Sequence, residues 1–481
     1  MEERLCVAET HCFSQDGRHI LLDVRQGCFF ALTPVEREAL TLVSVSASEG
    51  TPLQTWRARL RQTHAETDID HALERLRERG ILLPQPATLA PLESPAVPIT
   101  HLELNLAQDC NLRCRYCFVE QGSFGAQRQR MSADVARQAV DFLLRESGEA
   151  GSCGLTLFGG EPLLNFAVVK DVVLYGQEQA ARHGKQMNYL LATNGTLFSD
   201  ENLAFIKEHR IRVQISLDGP AAVHDRVRSN AAGRGSHAAI VASLPRLLTD
   251  YAQHVFIRAT VTRFSPPMPE LLDYLAGLGT RMVTLQYVKA DEQDYALDLA
   301  ARERLKAEYT ALARRFVADA PAGDFSAVSF FRPFMAHFCI GRRQRICCAA
   351  GLSMLGVSAT GGLYPCKDLA ERQDCRLGDV AAGLDWDRLA SWRSSRAMDS
   401  RPGCRDCWAR YLCGGGCLSW AIKLGHQSLY PVETECDLVR HLIEQAIWVH
   451  LELREKHPEV FLHLLPIFSL DALPLGNLVP G

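Results

Sequence analysis

Cysteine is the residue type whose placement demands a chemical explanation. The chain has 17, an odd number, and they are uneven. Three form Cys110-x-x-x-Cys114-x-x-Cys117, nine crowd into 339–417, and Cys436 follows. Three thiolates in one loop can hold three corners of a 4Fe–4S cube, leaving one iron without a protein ligand and open to a small molecule. A zinc loop is the other reading, but a structural zinc site usually has a fourth protein ligand. In the second group, Cys404-x-x-Cys407-x5-Cys413-x3-Cys417 lies against Gly414-Gly415-Gly416 and, alone, would suit a zinc ribbon. The N-terminus has acidic residues and no apolar export segment, so clustered thiols point to metal or chemistry rather than disulfides. Two tight groups separated by a cysteine-poor stretch imply two metal-binding regions. Cys6, Cys12, Cys28, Cys153 and Cys375 fit no cluster spacing.

The first cysteine loop follows a strand in which Leu102, Leu104 and Leu106 alternate. Further strands are expected at 155–158, 189–192, 212–216, 255–261 and 282–287. Helical patterns separate them at 132–146, 164–182, 200–208, 237–249 and 269–278. Repeated βα units imply a parallel sheet, and six of them an open or partial (β/α)6 barrel of the α/β class. Chemistry in such folds gathers at the C-terminal ends of the strands. Phe158-Gly159-Gly160-Glu161-Pro162, Thr193-Asn194-Gly195 and Ser216-Leu217-Asp218-Gly219-Pro220 all end strands. Glycines admit close backbone approach to a ligand. Arg258, in a strand with Thr260, could pair with a carboxylate.

In front of the barrel, strands at 18–24 and 28–32 are joined by a turn at Gln26-Gly27. Thr33-Pro34 with Glu36 forms a capping box opening a helix. A helix at 68–79 places Ile69, Leu73 and Leu76 on one face, and a short strand follows at 81–83. This suggests a small winged-helix-like module over 1–88. Pro84, Pro86, Pro91, Pro95 and Pro98 make a stiff linker, with 89–100 as the boundary. The barrel spans 101–335, with 291–336 helical. A metal-stapled domain covers 336–440, and 441–481 supplies a C-terminal helix and tail, an amphipathic pattern running over 437–456. At 481 residues, 47% hydrophobic, 22% charged and net charge −4, the chain is an ordinary multidomain globular one. No broad basic surface is implied, so nucleic acid is not an expected partner. No apolar run is long enough to span a membrane. The expected location is cytoplasmic, with no membrane partner.

These residues resemble a known family. Cys110, Cys114 and Cys117 with Tyr116 look like the signature of radical S-adenosylmethionine (SAM) enzymes, and Gly159-Gly160-Glu161-Pro162 is similar to that family's SAM-binding segment. The resemblance implies that Gly159, Gly160 and Glu161 receive the SAM methionine ammonium. It makes Ser216 and Asp218 the ribose candidates, although both also suit turn chemistry. Arg258 is the candidate for the SAM carboxylate. The cysteines from 339 to 436 resemble the seven-cysteine SPASM domain of peptide-modifying radical SAM enzymes. That implies two auxiliary clusters, one on Cys348, Cys366 and Cys417, the other on Cys404, Cys407, Cys413 and Cys436. Cys339 is the candidate fourth ligand of the first; without it that cluster has an open iron. Cys347 adjoins Cys348 as an alternative. The implied cofactors are SAM and three 4Fe–4S clusters, one SAM-binding and two auxiliary. The N-terminal unit resembles the precursor-peptide recognition element of peptide maturases, in which a leader adds as an edge strand.

The expected activity is radical modification of a ribosomally made peptide or small protein subunit, with an external electron donor. Thioether formation is favoured. The layout is most similar to the maturases that link Cys to Asp or Glu carbons in a subunit of quinohemoprotein amine dehydrogenase. Formylglycine generation of the anaerobic sulfatase-maturating type is the runner-up. That type has Asp directly after the cysteine matching Cys366, whereas here Lys367 intervenes before Asp368. Carbon–carbon cross-linking is a further alternative, and a non-catalytic iron–sulfur peptide-binding scaffold the non-enzyme one. No side chain is singled out as a catalytic acid or base.

Overall fold

Apolar residues at alternate positions form six strands that run parallel in chain order: His101–Ala107, Ser152–Gly159, Gln186–Thr193, Arg212–Ser216, Val255–Val261 and Met282–Tyr287. The computed structural model describes residues 4–43, 51–83, 97–280, 282–290, 293–340, 343–346, 348–423 and 432–468. Neighbouring strands are in register, with Leu102 opposite Leu155 and Leu104 opposite Leu157. Helices Ala133–Glu146, Phe166–Arg182, Asp200–Glu208, His237–Leu248 and Met268–Ala276 alternate with them. Each buries an apolar stripe; Ala136, Ala139, Val140 and Leu143 do so in the first. Side chains fix their starts. The Ser132 hydroxyl accepts from Val135 N, and Ser199 and Asn202 cap each other reciprocally. The result is the expected α/β partial barrel.

The sheet continues past its first strand. Met354–Val357 pairs parallel with that strand, Met354 opposite His101, and leads into antiparallel Gly362–Tyr364, Gly378–Asp379 and Gly383–Leu384. The cysteine-rich region therefore shares one ten-stranded sheet with the barrel. Helices Leu299–Asp319 and Val328–Ile340 connect the two, and Glu433–Lys456 packs across them.

The N-terminal unit contains the antiparallel sheet Thr10–Gln15, Arg18–Asp23 and Phe29–Leu32. A second small sheet joins Arg4–Val7 to Thr51–Pro52 and Leu82–Leu83. Helices Pro34–Val43, Leu53–Leu60 and Glu66–Glu78 complete it. The capping box forms as expected: Thr33 N donates to Glu36 Oε2 at 2.7 Å and Glu36 N to Thr33 Oγ1 at 3.3 Å. Strands Arg4–Val7 and Thr10–Gln15, helix Leu53–Leu60 and the last helix, Pro458–Phe468, were not expected from the sequence.

Strand Arg18–Asp23 buries both faces. Leu21 joins the unit's own core, while Ile20 and Leu22, with Phe29, join the core of the main body. The unit is thus docked on the body. His11 stacks on Trp408 with ring centroids 3.7 Å apart and bonds Glu444 at 2.8 Å. Arg18 pairs with Glu452 at 2.6 Å, Arg410 with Glu9, and Val24 packs with Met398, Cys404 and Tyr411. Linker residues 84–96, Cys347 and the tail from 469 lie outside the described residues. Among the described residues no helix is long and apolar enough to cross a membrane.

Candidate active site and cluster-binding loops

Beyond Ala107 the chain enters the first cysteine loop, which is braced by backbone. Arg113 N donates to Ser229 O at 2.6 Å and Arg115 N to Val227 O at 2.9 Å. Its floor is glycine. A Cβ on Gly160 would lie 2.2 Å from Asp109 O and 2.8 Å from Gly122 Cα; one on Gly159, whose φ is +143°, would lie 2.5 Å from Ala107 O. The close approach these glycines permit is to the cysteine loop itself.

Cys110, Cys114 and Cys117 are half-buried within electrostatic reach of one another. Leu112 N donates to Cys110 Sγ at 3.3 Å and Gln121 N to Cys117 Sγ at 3.2 Å. Burial pushes the Cys110 thiol up to about 12 and raises Cys114; iron coordination would hold both as thiolates. A cube takes its thiolates at separate corners. The donor set and its N–H···S bonds fit an iron–sulfur cluster.

Glu161 is fully buried, 0% exposed. Its Oε1 accepts from Thr193 Oγ1 at 2.8 Å and Leu163 N at 3.0 Å, and its Oε2 from Asn194 N at 2.8 Å. The carboxylate thus ties the ends of the second and third strands together. Burial raises its pKa against those donors. Asn194 Nδ2 reaches Cys110 Sγ at 3.8 Å, so the knot adjoins the cysteine loop.

Asp218 is also buried. Its Oδ1 accepts from Thr260 N at 2.9 Å, its Oδ2 from the Tyr116 hydroxyl, and Arg228 Nη1 donates to that hydroxyl at 2.6 Å. The sequence marked Tyr116 only as an aromatic neighbour. In the fold it bridges the cysteine loop to the end of the fourth strand.

A cavity of about 280 Å³ opens between the barrel lumen and the cysteine-rich domain. Tyr116 and Phe118 line it from the first cysteine loop, Ser216 and Arg258 from the strands, and Cys348, Cys366 and Cys417 from the opposite side. Asp218 stands behind Tyr116 and is not in the wall. Within the cavity Lys367 Nζ pairs with Glu103 Oε1 at 3.0 Å, and Lys367 N donates to Glu103 Oε2 at 3.0 Å. Lys367 and Lys423 hold Asp368 below the usual carboxylate range, against its burial. The sequence carried one overlooked signal: Glu103 stands between Leu102 and Leu104, on the strand face turned to the lumen.

Cys404, Cys407, Cys413 and Cys436 form a separate group, with Cys436 in electrostatic reach of Cys413 and Cys404. Gly414, Gly415 and Gly416 have φ of 68°, 97° and 72°, three successive left-handed residues that turn the chain tightly after Cys413. Arg401, 1% exposed, donates to Gly415 O beneath that turn. A buried cation beside four thiols fits an anionic cluster. Cys339, at the end of helix Val328–Ile340, is half-buried and does not line the cavity holding Cys348, Cys366 and Cys417.

Residues 104–247 match the Radical SAM superfamily model. A serine-type anaerobic sulfatase-maturating enzyme of Klebsiella aerogenes is 23% identical over 342 residues, covering 69% of this chain and 83% of that protein. An uncharacterised protein of Methanocaldococcus jannaschii is 28% identical over 196 residues, covering 40% of this chain and 65% of that protein. Among solved structures, anSMEcpe with bound AdoMet has a TM-score of 0.61 at 20% identity, covering 73% of this chain and 97% of that one. At that identity the likeness is one of fold. The family match falls on the cysteine loop, the Gly-Gly-Glu-Pro turn and the strands that carry them, so the likeness to radical SAM proteins lies in residues 104–247.

Proposed function

We propose that this chain modifies a peptide or small protein subunit by joining a cysteine sulfur to a carbon, most like linkage to Asp or Glu carbons. One observation carries the reading: a single cavity is walled on one side by the radical SAM loop and on the other by Cys348, Cys366 and Cys417. A reduced cluster with SAM supplies a 5′-deoxyadenosyl radical able to remove hydrogen from a C–H bond. Cys110, Cys114 and Cys117 would hold that cluster. Gly159, Gly160 and Glu161 set the turn beside it, and Ser216 and Arg258 offer polar contacts within the cavity. Tyr116, fixed by Asp218 and Arg228, keeps the loop seated over the lumen.

For each link, one hydrogen atom would leave the substrate carbon. The thiol proton would leave to solvent as the C–S bond forms; Cys348, Cys366 and Cys417 would hold the auxiliary cluster whose chemistry is to accept the remaining electron. An external donor supplies the electron that starts each turnover. The N-terminal unit would bind the substrate's leader, its sheet edge supplying main-chain hydrogen bonds.

Formylglycine formation is the second reading. It is favoured by Asp368, a carboxylate in the cavity wall next to Lys367, and by the sulfatase-maturating relatives. Anaerobic turnover of a cysteine-containing candidate peptide, with SAM and reductant, then reduction, alkylation and tandem mass spectrometry, separates the two. The thioether reading expects loss of two hydrogens and one alkylatable thiol per link. Formylglycine, or a carbon–carbon link with every thiol retained, would overturn it. Cys114→Ala should make no 5′-deoxyadenosine in the same assay.

A further inference from the structure

Arg401 is among the most deeply buried large side chains of the protein. A guanidinium has five N–H donors and stays charged at any ordinary pH. Here Nη1 donates to Gly415 O, and the buried Nε has no hydrogen-bond partner. Among the described residues no carboxylate forms an ion pair with it. The buried Glu435 carboxylate lies near the same turn but pairs with Lys289 at 3.0 Å. Met398 is apolar, and Arg396 is a second cation in its electrostatic field. Burying an unpaired charge is strongly unfavourable, and proteins keep such a group where an opposite charge faces it.

The opposite charge at this place is sulfur. Arg401 O accepts from Cys404 N at 2.9 Å, and the arginine charge acts on the Cys404 thiol. The guanidinium passes beneath the turn that follows Cys413. A Cβ on Gly415 would lie 2.5 Å from Arg401 Nη1, so glycine there leaves room for the guanidinium. Four thiolates around a 4Fe–4S core leave the assembly with a net charge of about −2 when oxidised and one more when reduced.

We infer that Arg401 is a buried counter-charge of the cluster on Cys404, Cys407, Cys413 and Cys436, and that it raises that cluster's reduction potential. The inference rests on the auxiliary-cluster reading above. Arg401 acts through the cluster and is a positioning residue, not a catalytic one. A fixed positive charge favours the more negative, reduced state, so its removal lowers the potential.

The test uses the full-length chain, anaerobically reconstituted, with iron and sulfide counted per chain and each cluster titrated by electron paramagnetic resonance. Cys413→Ala identifies the signal belonging to this site. Arg401→Gln should keep the cluster and shift that signal's one-electron equilibrium at least tenfold toward the oxidised form, about 59 mV. Arg401→Lys, which keeps the charge, should stay near the native potential. An unchanged potential in loaded Arg401→Gln, or an equal shift in Arg401→Lys, would overturn the role. So would loss of the cluster from both variants in a chain still folded by circular dichroism, because that assigns Arg401 to packing. A native iron count in Cys413→Ala would instead overturn the cluster reading itself.

Discussion

Gly160→Ala adds one carbon where the second strand's turn meets the cysteine loop. The new Cβ would sit 2.2 Å from Asp109 O, 2.6 Å from Asp109 C and 2.8 Å from Gly122 Cα, all backbone atoms that cannot rotate aside. Ordinary contact between carbon atoms is about 3.5–4.0 Å, so the loop must retreat by roughly 1 Å. Overpacking of this kind costs about 1–3 kcal/mol. The displaced residue is the one before Cys110, and its Oδ1 accepts from Cys110 N at 2.9 Å. The shift therefore passes directly to Cys110, a ligand of the proposed cluster. Misplacing a reacting centre by about 1 Å can cost on the order of 100-fold in rate. Reconstituted Gly160→Ala should accordingly form 5′-deoxyadenosine about 100-fold more slowly, measured by chromatography of anaerobic SAM turnover, with less iron in the radical cluster. Gly151→Ala is the control, since nothing lies within 4 Å of a Cβ there. A native rate in Gly160→Ala would refute the claim that this turn positions the cluster loop.

Lys367→Met removes the ammonium facing the buried Glu103 carboxylate, which keeps the backbone N–H of residue 367, and should destabilise the fold by about 3 kcal/mol; Glu103→Gln in the same chain should restore much of the melting temperature. Equal melting of native and Lys367→Met protein would refute a buried pair. His101 and His224 are held neutral by burial, their pKa values lowered to about 3 and about 2. Unfolded imidazole takes a proton near pH 6.5, so the stability is full above that pH and falls as acid charges only the unfolded chain. Between pH 6 and pH 5 the two together should cost about 2 kcal/mol, and His101→Gln should remove about half of that slope in thermal melts. A melting temperature flat across this window would refute the assignment.

Much of the barrel was legible because its strands and helices announce themselves locally. Val255–Val261 and Met282–Tyr287 carry β-branched and apolar runs, and Asp200–Glu208 begins at a side-chain cap. The cysteine spacing likewise located the family-matching loop. What escaped depends on partners distant in sequence. Strand Thr10–Gln15 is mostly polar, and its position is set by pairing with Arg18–Asp23 and by Trp408. The pair Glu103–Lys367 joins positions brought together only when Met354–Val357 adds to the barrel sheet. Asp218 looked like a ligand-facing residue at a strand end, but Tyr116, Arg228 and Thr260 engage it first.

The docking of the N-terminal unit has a consequence for how the polypeptide is assembled and how it can be recombined. Strands Thr10–Gln15 and Arg18–Asp23 rest on Trp408, Glu444 and Glu452, which are synthesised far later, His11 and Glu444 being 433 residues apart. Helix Glu433–Lys456 supplies both part of that seat and the thiol of Cys436. Seating this unit and adding Cys436 to its cysteine group therefore become one event. Cutting and grafting at the proline-rich linker would carry only half of an interface. A chimera that exchanges this unit must bring along the facing residues of 398–411 and 444–452, or it will expose Ile20, Leu22 and Phe29 to water.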